Sequence, residues 1–176
     1  RKTDKIFENI IRIRNIIDHI RAFSRDQPDY IAARFDINLS INNALNMMAE
    51  QLKHHSIKLT LHLDENLTFI VGNTYTFEQV ILNLLSNSKD ALLERKSQES
   101  LDYDMSIKIN SFMENEYLII EVVDNGKGIK KEDIENVILP FYTTKDPGNG
   151  TGLGLSISYR IIKELGGTIE LEPNTS

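Results

Sequence analysis

The stretch Tyr117-Leu118-Ile119-Ile120-Glu121-Val122-Val123-Asp124-Asn125-Gly126-Lys127-Gly128-Ile129 reads as an apolar strand that stops on Asp-Asn-Gly-Lys-Gly. An aspartate at a strand end can accept a hydrogen bond from an exocyclic amine, and paired glycines let backbone approach a flat ring closely. The same residues also suit a plain turn, where Asn, Gly and Asp serve backbone conformation alone. The segment by itself supports both readings equally.

Working upstream, 105–112 reads as a partner strand joined around Glu114-Asn115, and a helix spans 75–96 before it. On that helix Asn83, Asn87 and Asp90 fall at i, i+4 and i+7 and share one face. Phe77, Ile81, Leu84, Leu85, Ser88 and Leu92 form a stripe on the other side. Amide oxygens are hard, neutral ligands, and a pair of them can help hold Mg²⁺ already bridged to phosphates. Taken alone, an ordinary solvated helix face accounts for these residues better.

Downstream, Gly148-Asn149-Gly150-Thr151-Gly152-Leu153-Gly154-Leu155-Ser156 opens a helix over 153–165 that Gly166-Gly167 ends. Bare glycines expose consecutive N–H groups, and a helix N-terminus adds partial positive charge, so the segment can cradle phosphates. It is not a P-loop, because no Lys-Ser/Thr follows the last glycine. The spacing also departs from the dinucleotide fingerprint, and too little chain follows for a βαβ unit. A flexible glycine-rich loop is the competing reading.

The rest of the chain places these features in a mixed order. A strand is expected over 35–38, and a helix over 40–54 with Ile41, Ala44, Leu45, Met48 and Leu52 as its apolar face. Residues 57–63 alternate apolar and polar as a half-buried strand does. Further strands are expected over 68–72 and from 168 to 171, with a loop of little periodicity over 124–150. Ahead of the Asp26-Gln27-Pro28-Asp29 break, Ile6, Ile10, Ile13, Ile17 and Ile20 recur at spacings of 4, 3, 4 and 3. That seam, broadened by Phe7, Ile16 and Phe23, suits a helix in a bundle, with packing on its own domain as the alternative.

Composition narrows the partners. Twenty Lys+Arg against 26 Asp+Glu give a net charge of −6, which weighs against a nucleic-acid backbone. Without cysteine, disulfides, thiolate metal sites and a Cys nucleophile are excluded, and an intracellular setting is suited. No apolar run reaches the roughly 18 residues of a membrane-spanning helix. A start at Arg1, without a signal-peptide pattern, suggests a segment excised from something longer.

The order of the three features is more specific than any one of them. The sequence closely resembles the GHKL ATPase superfamily and, within it, the sensor histidine kinases. The helix bearing Asn83 and Asn87 looks like the family's N box, 124–128 like its first glycine box, and 150–154 like its second. Pro140-Phe141-Tyr142-Thr143-Thr144-Lys145 resembles the F box of the subgroup with a PF-TTK sequence. The resemblance covers 34–171, and 17–25 adds a likeness to the second helix of the dimerisation and phosphoacceptor domain.

The resemblance implies an α+β fold, the two-layer α/β sandwich of Bergerat type. Its sheet is mixed and mostly antiparallel, with helices on one face. Residues 1–28 would be the bundle-forming helix and 29–176 the catalytic and ATP-binding domain, its final strand truncated. Asp124 would bond the adenine amine, with Gly126, Gly128 and Ile129 beside the ring. Asn87 would coordinate Mg²⁺, with Asn83 alongside the phosphates and Asp90, on the same face, among the nucleotide-binding residues. Gly150, Thr151, Gly152, Leu153 and Gly154 would bring backbone amides to ATP, under a lid near 138–149. Phe141 would pack to position that lid, and Thr144 and Lys145 would contact nucleotide. The family's frequent aromatic four positions after the Mg²⁺ ligand is Ala91 here.

Hydrolytic members of the superfamily carry glutamate at position 83, and an amide cannot take a proton at neutral pH. Transfer of the γ-phosphoryl to a histidine is the expectation instead. His19, His54, His55 and His62 do not resemble the acceptor motif, so the acceptor helix is expected outside this chain. A response-regulator receiver domain, a homodimer through the N-terminal helix and a cytoplasmic location, with or without a membrane anchor in the parent protein, complete the expectation.

Overall fold

The computed structural model of the protein describes residues 32–67, 69–98, 103–145 and 150–173. The helix expected over 1–28, with His19, lies outside the described residues. Those described run β1 (Ala33–Phe35), α1 (Ile37–His54), β2 (Lys58–Leu63), β3 (Ile70–Gly72), α2 (Thr74–Gln98), β4 (Ser106–Glu114), β5 (Tyr117–Asp124) and α3 (Gly154–Glu164).

The first helix begins earlier than the sequence suggests, and the cause is a cap. The Asp36 carboxylate accepts the Leu39 N–H at 3.0 Å, satisfying a first-turn donor that would otherwise lack a partner. Residues 37 and 38 are therefore helical, and β1 moves back to Ala33–Phe35. Ile37, Ile41, Ala44, Leu45, Met48 and Leu52 are buried along one face, as an apolar i, i+4, i+7, i+8 pattern requires.

The strands form two sheets rather than one. β1 and β3 pair antiparallel, while β2, β4 and β5 lie in that order, with β2 parallel and β5 antiparallel to β4. The β2–β4 pair is parallel because the chain crosses over through β3 and α2 before returning. β4 and β5 are joined by Asn115 and Glu116, both at positive φ (47° and 70°), the backbone of a tight two-residue hairpin. Residues 168–171 form no strand, so the expected final strand is absent among the described residues.

Along β4, Ile107, Ile109 and Ser111 are buried and Lys108 is exposed, so α1 and α2 cover one face of the three-stranded sheet. Phe77, Ile81, Leu85 and Leu92 of α2 complete that core. Each such side chain contributes about 1.5–3 kcal/mol on burial. Val80 points elsewhere and joins Leu153, Ile157 and Ile161 in a smaller cluster that docks α3 on α2. The result is an α+β domain in which α2 has the sheet on one side and α3 on another. No described helix is long and apolar enough to cross a membrane.

Candidate functional site

Helix α2 carries the candidate residues along a single stripe, and three distant segments meet it there. At Asn83, the side-chain amide donates to the Gly154 carbonyl at 3.1 Å and to Ser158 Oγ at 3.2 Å. Ser158 Oγ also donates to the Gly154 carbonyl at 2.9 Å, so Asn83 fastens the first turn of α3. At Asp90, a carboxylate oxygen lies 2.5 Å from Lys145 Nζ. At Ala91, the carbonyl accepts the Lys127 N–H at 3.3 Å. Asn87 stands between these anchors, half-buried, and its side chain makes no hydrogen bond among the described residues.

The turn after β5 is built by its own aspartate. One Asp124 oxygen, Oδ1, accepts the Gly126 N–H at 2.9 Å, which leaves the second oxygen to receive an outside donor. Gly126 is buried against α2: a Cβ there would lie 2.8 Å from the Ala91 carbonyl carbon and 2.8 Å from Ala91 Cβ. Small size at both positions lets the turn approach the helix. Gly128 has φ +71°, a left-handed conformation that suits glycine.

Asn125 is a structural residue that sequence reasoning passes over. Its Oδ1 accepts the Ser106 N–H at 2.8 Å, its Nδ2 donates to the Asp104 carbonyl at 2.8 Å, and its own carbonyl receives Arg95 Nη1 at 2.8 Å and the Tyr103 hydroxyl. Its place inside Asp-Asn-Gly was the available signal. Lys127 Nζ adds an ion pair to Glu94 at 2.6 Å. The turn is thus held on both flanks, and Asp124 is presented rigidly.

The glycine-rich segment meets the loop that carries Phe141 through backbone contacts. The Phe141 N–H donates to the Gly152 carbonyl at 2.9 Å, and a Cβ on Gly152 (φ +65°) would fall 2.4 Å from the Phe141 carbonyl carbon. Phe141 itself adopts φ 67° with its ring 71% exposed. The backbone of Phe141, rather than its exposed ring, makes the anchoring contact among the described residues. Thr144 is exposed. Leu153 is buried in the smaller cluster, so its side chain belongs to the core and only its backbone borders the loop. Thr151 Oγ1 accepts the Leu153 N–H at 3.3 Å.

No side chain caps α3, and its first intrahelical bond runs from the Ile157 N–H to the Leu153 carbonyl. The preceding first-turn N–H groups have no carbonyl inside the helix, the arrangement that favours an anion. Gly154 lies against Asn83, where a Cβ on the glycine would stand 3.7 Å from the Asn83 side-chain oxygen, an ordinary contact.

Two groups nearby titrate away from their ordinary values. Tyr142 donates to the Asp133 carboxylate, and this bond, then burial, pushes its phenol up from 10.0. His55 is held below 6.5 by burial first and then by the charge of His54. His54, His55 and His62 make no hydrogen bond to the candidate site residues among the described residues; His62 faces Asn110 across the outer side of the sheet at 3.2 Å.

The chain belongs to the histidine kinase-, DNA gyrase B- and HSP90-like ATPase family, whose profile matches residues 72–176. Within the family it is similar to the two-component sensor PprA of Pseudomonas aeruginosa, at 32% identity over 168 residues. That match covers 96% of this chain and 18% of PprA, so the chain spans under a fifth of that relative. The catalytic domain of histidine kinase ThkA, in a nucleotide-free form, superposes with TM-score 0.64 at 27% identity, covering 77% of this chain and 82% of that one. ThkA in complex with the response regulator protein TrrA matches with TM-score 0.69 at 23% identity, covering 92% of this chain and 43% of that one, a likeness of fold. The chain thus carries the ATPase-type catalytic domain of sensor histidine kinases.

Proposed function

We propose that this domain binds ATP with Mg²⁺ and passes the γ-phosphoryl to a histidine on a dimerisation domain. The observation that supports this reading is the convergence on α2: Gly154 meets Asn83 from 71 positions away and Lys145 meets Asp90 from 55 positions away. A stripe that gathers an aspartate turn, a lysine and an uncapped helix start can take an adenine at one end and phosphates at the other. Asp124 accepts the adenine amine through its second oxygen, beside Gly126, Gly128 and Ile129. Backbone amides from Gly150 to Gly154, with Thr151, receive the phosphates, and Thr144 and Phe141 border them.

Asn87 fits Mg²⁺ as a neutral oxygen ligand with no competing bond among the described residues. The metal, when bound, neutralises phosphate charge. One amide cannot cage the ion alone, so the phosphates supply most of its shell.

Position 83 separates transfer from hydrolysis. The Asn83 amide is spent on Gly154 and Ser158, and it has no basic site to activate water. Catalysis is then positioning and charge stabilisation for an external nucleophile. The acceptor histidine, a receiver domain as onward partner, a dimer through residues 1–28 joined to the catalytic unit at 29–176, and a cytoplasmic setting where ATP is supplied all belong to this proposal.

Mixing the chain with ATP, Mg²⁺ and a separate phosphoacceptor domain tests it. Acid-labile, base-stable phosphohistidine is the expected product. Tight ATP binding without any transfer would leave only a nucleotide-binding module. Asp124→Asn is expected to reduce ATP affinity below detection by calorimetry, with the fold retained by circular dichroism.

A further inference from the structure

We propose that Asp90 and Lys145 form a charge clasp that polyphosphate must open, so that Asp90 restrains the affinity of the site for phosphorylated nucleotide. The proposal rests on the reading of this site as an ATP site. It assigns Asp90 a part opposite to that of a direct ligand.

The clasp is a close contact between two segments 55 positions apart: Lys145 Nζ lies 2.5 Å from Asp90 Oδ2. Its two side chains are 27% and 33% exposed, so water screens the pair and it can exchange partners. The stem of Lys145 passes over Gly150, where a Cβ would meet Lys145 Cδ at 3.2 Å and Cβ at 3.4 Å. The ammonium therefore stands between the asparagine stripe of α2 and the start of the glycine segment. Gly150, whose backbone amide belongs to the segment read as the phosphate cradle, thus lies beside the Lys145 stem.

Charge decides the exchange. Asp90 lies on the same face as Asn83 and Asn87 and offers one negative charge to Lys145. A polyphosphate offers several, and an ammonium with three donors follows the larger charge. The carboxylate left behind has a replacement at hand. Lys89 Nζ is 3.8 Å from Asp90 Oδ1 and is steadied by Gln51 Oε1 at 3.2 Å. No covalent bond changes; one ion pair is traded for another.

The cost of opening an exposed ion pair is small, and it corresponds to about a two- to fivefold change in affinity. Asp90→Asn, in the full chain, is expected to bind ATP·Mg²⁺ tighter by that factor, with a smaller change for adenosine, which brings no phosphate to draw the lysine away. Lys145→Gln is expected to weaken ATP·Mg²⁺ more than it weakens adenosine. In the double variant the gain from Asp90→Asn should vanish, because no lysine remains to release. Calorimetry with ATP·Mg²⁺ and with adenosine, at low and moderate salt, reads all of these. An unchanged or weaker ATP affinity for Asp90→Asn overturns the clasp. So does a gain that persists without Lys145, since that would reflect only removal of a repelling charge. Failure of the unaltered chain to bind ATP would overturn the nucleotide reading as well, which separates the two outcomes.

Discussion

Gly126 shows how much one hydrogen atom in place of a side chain decides at this site. A methyl group there would meet the Ala91 carbonyl carbon, Ala91 Cβ and Asp124 Oδ1, each at 2.8 Å, and two of these three contacts are with parts of α2 that cannot swing away. Gly126→Ala is expected to cost about 1–3 kcal/mol, the usual scale of overpacking. It should also displace the carboxylate that defines the turn and weaken ATP binding by at least tenfold. Urea denaturation and calorimetry measure the two effects, and an unchanged midpoint with unchanged affinity would show that the turn yields freely. The sequence marks this glycine as a place of close approach but suggests the flat ring of a ligand as the neighbour. The structure adds a protein neighbour, Ala91. The pairing spans 35 positions and carries no local pattern, which is why it is not legible in sequence. It also gives the small residue at 91, a departure from the family's aromatic, a physical reason.

At the scale of elements, α2 and α3 are joined by a bond whose direction matters. Asn83 donates to the Gly154 carbonyl and to Ser158 Oγ. Asn83→Asp keeps the shape but removes the donor and sets a carboxylate against a carbonyl oxygen. The expected cost is about 1–3 kcal/mol, the penalty for a half-buried polar group deprived of its partner. Its sharper sign is selective: α3 amides should lose hydrogen-exchange protection while those of β4 keep theirs, and no acceptor-independent ATP turnover should appear. Steady turnover would mean that an acid at 83 suffices for hydrolysis. The helices themselves are well marked in the sequence. The apolar positions expected on α1 are the buried ones, because a 3.6-residue period is a local signal strong enough to survive folding. Its starting point is not, because the Asp36 cap competes with a strand pattern over the same residues. Residues 168–171 carry strand propensity, yet a strand exists only where a ladder partner is available, and pairing is non-local.

Across the molecule, the question is whether the nucleotide segments fold with the main core or open apart from it. The larger cluster gathers α1, α2 and β4, whereas α3 buries its apolar face in the smaller one with Val80. Ile162 and Leu165 pack against both clusters and are the apolar link between them. Leu165 fits where β3 has no side chain, since a Cβ on Gly72 would lie 2.3 Å from Leu165 Cδ2. This link is invisible to sequence reasoning, because Leu165 reads only as the last apolar residue before Gly166-Gly167. Leu165→Ala should empty that place and loosen α3 before the rest. Native-state hydrogen exchange is then expected to show α3 amides exchanging through a local opening about 1–3 kcal/mol easier than before, with β4 amides little affected. Saturating ATP·Mg²⁺ should restore the protection of α3, because a ligand that binds only the docked arrangement stabilises it by about 2.7 kcal/mol at a hundredfold excess over its dissociation constant. Equal acceleration of α3 and β4 would instead mean that the two clusters open as one unit. Leu165 would then contribute to global stability alone, and the ligand would slow exchange everywhere by the same factor.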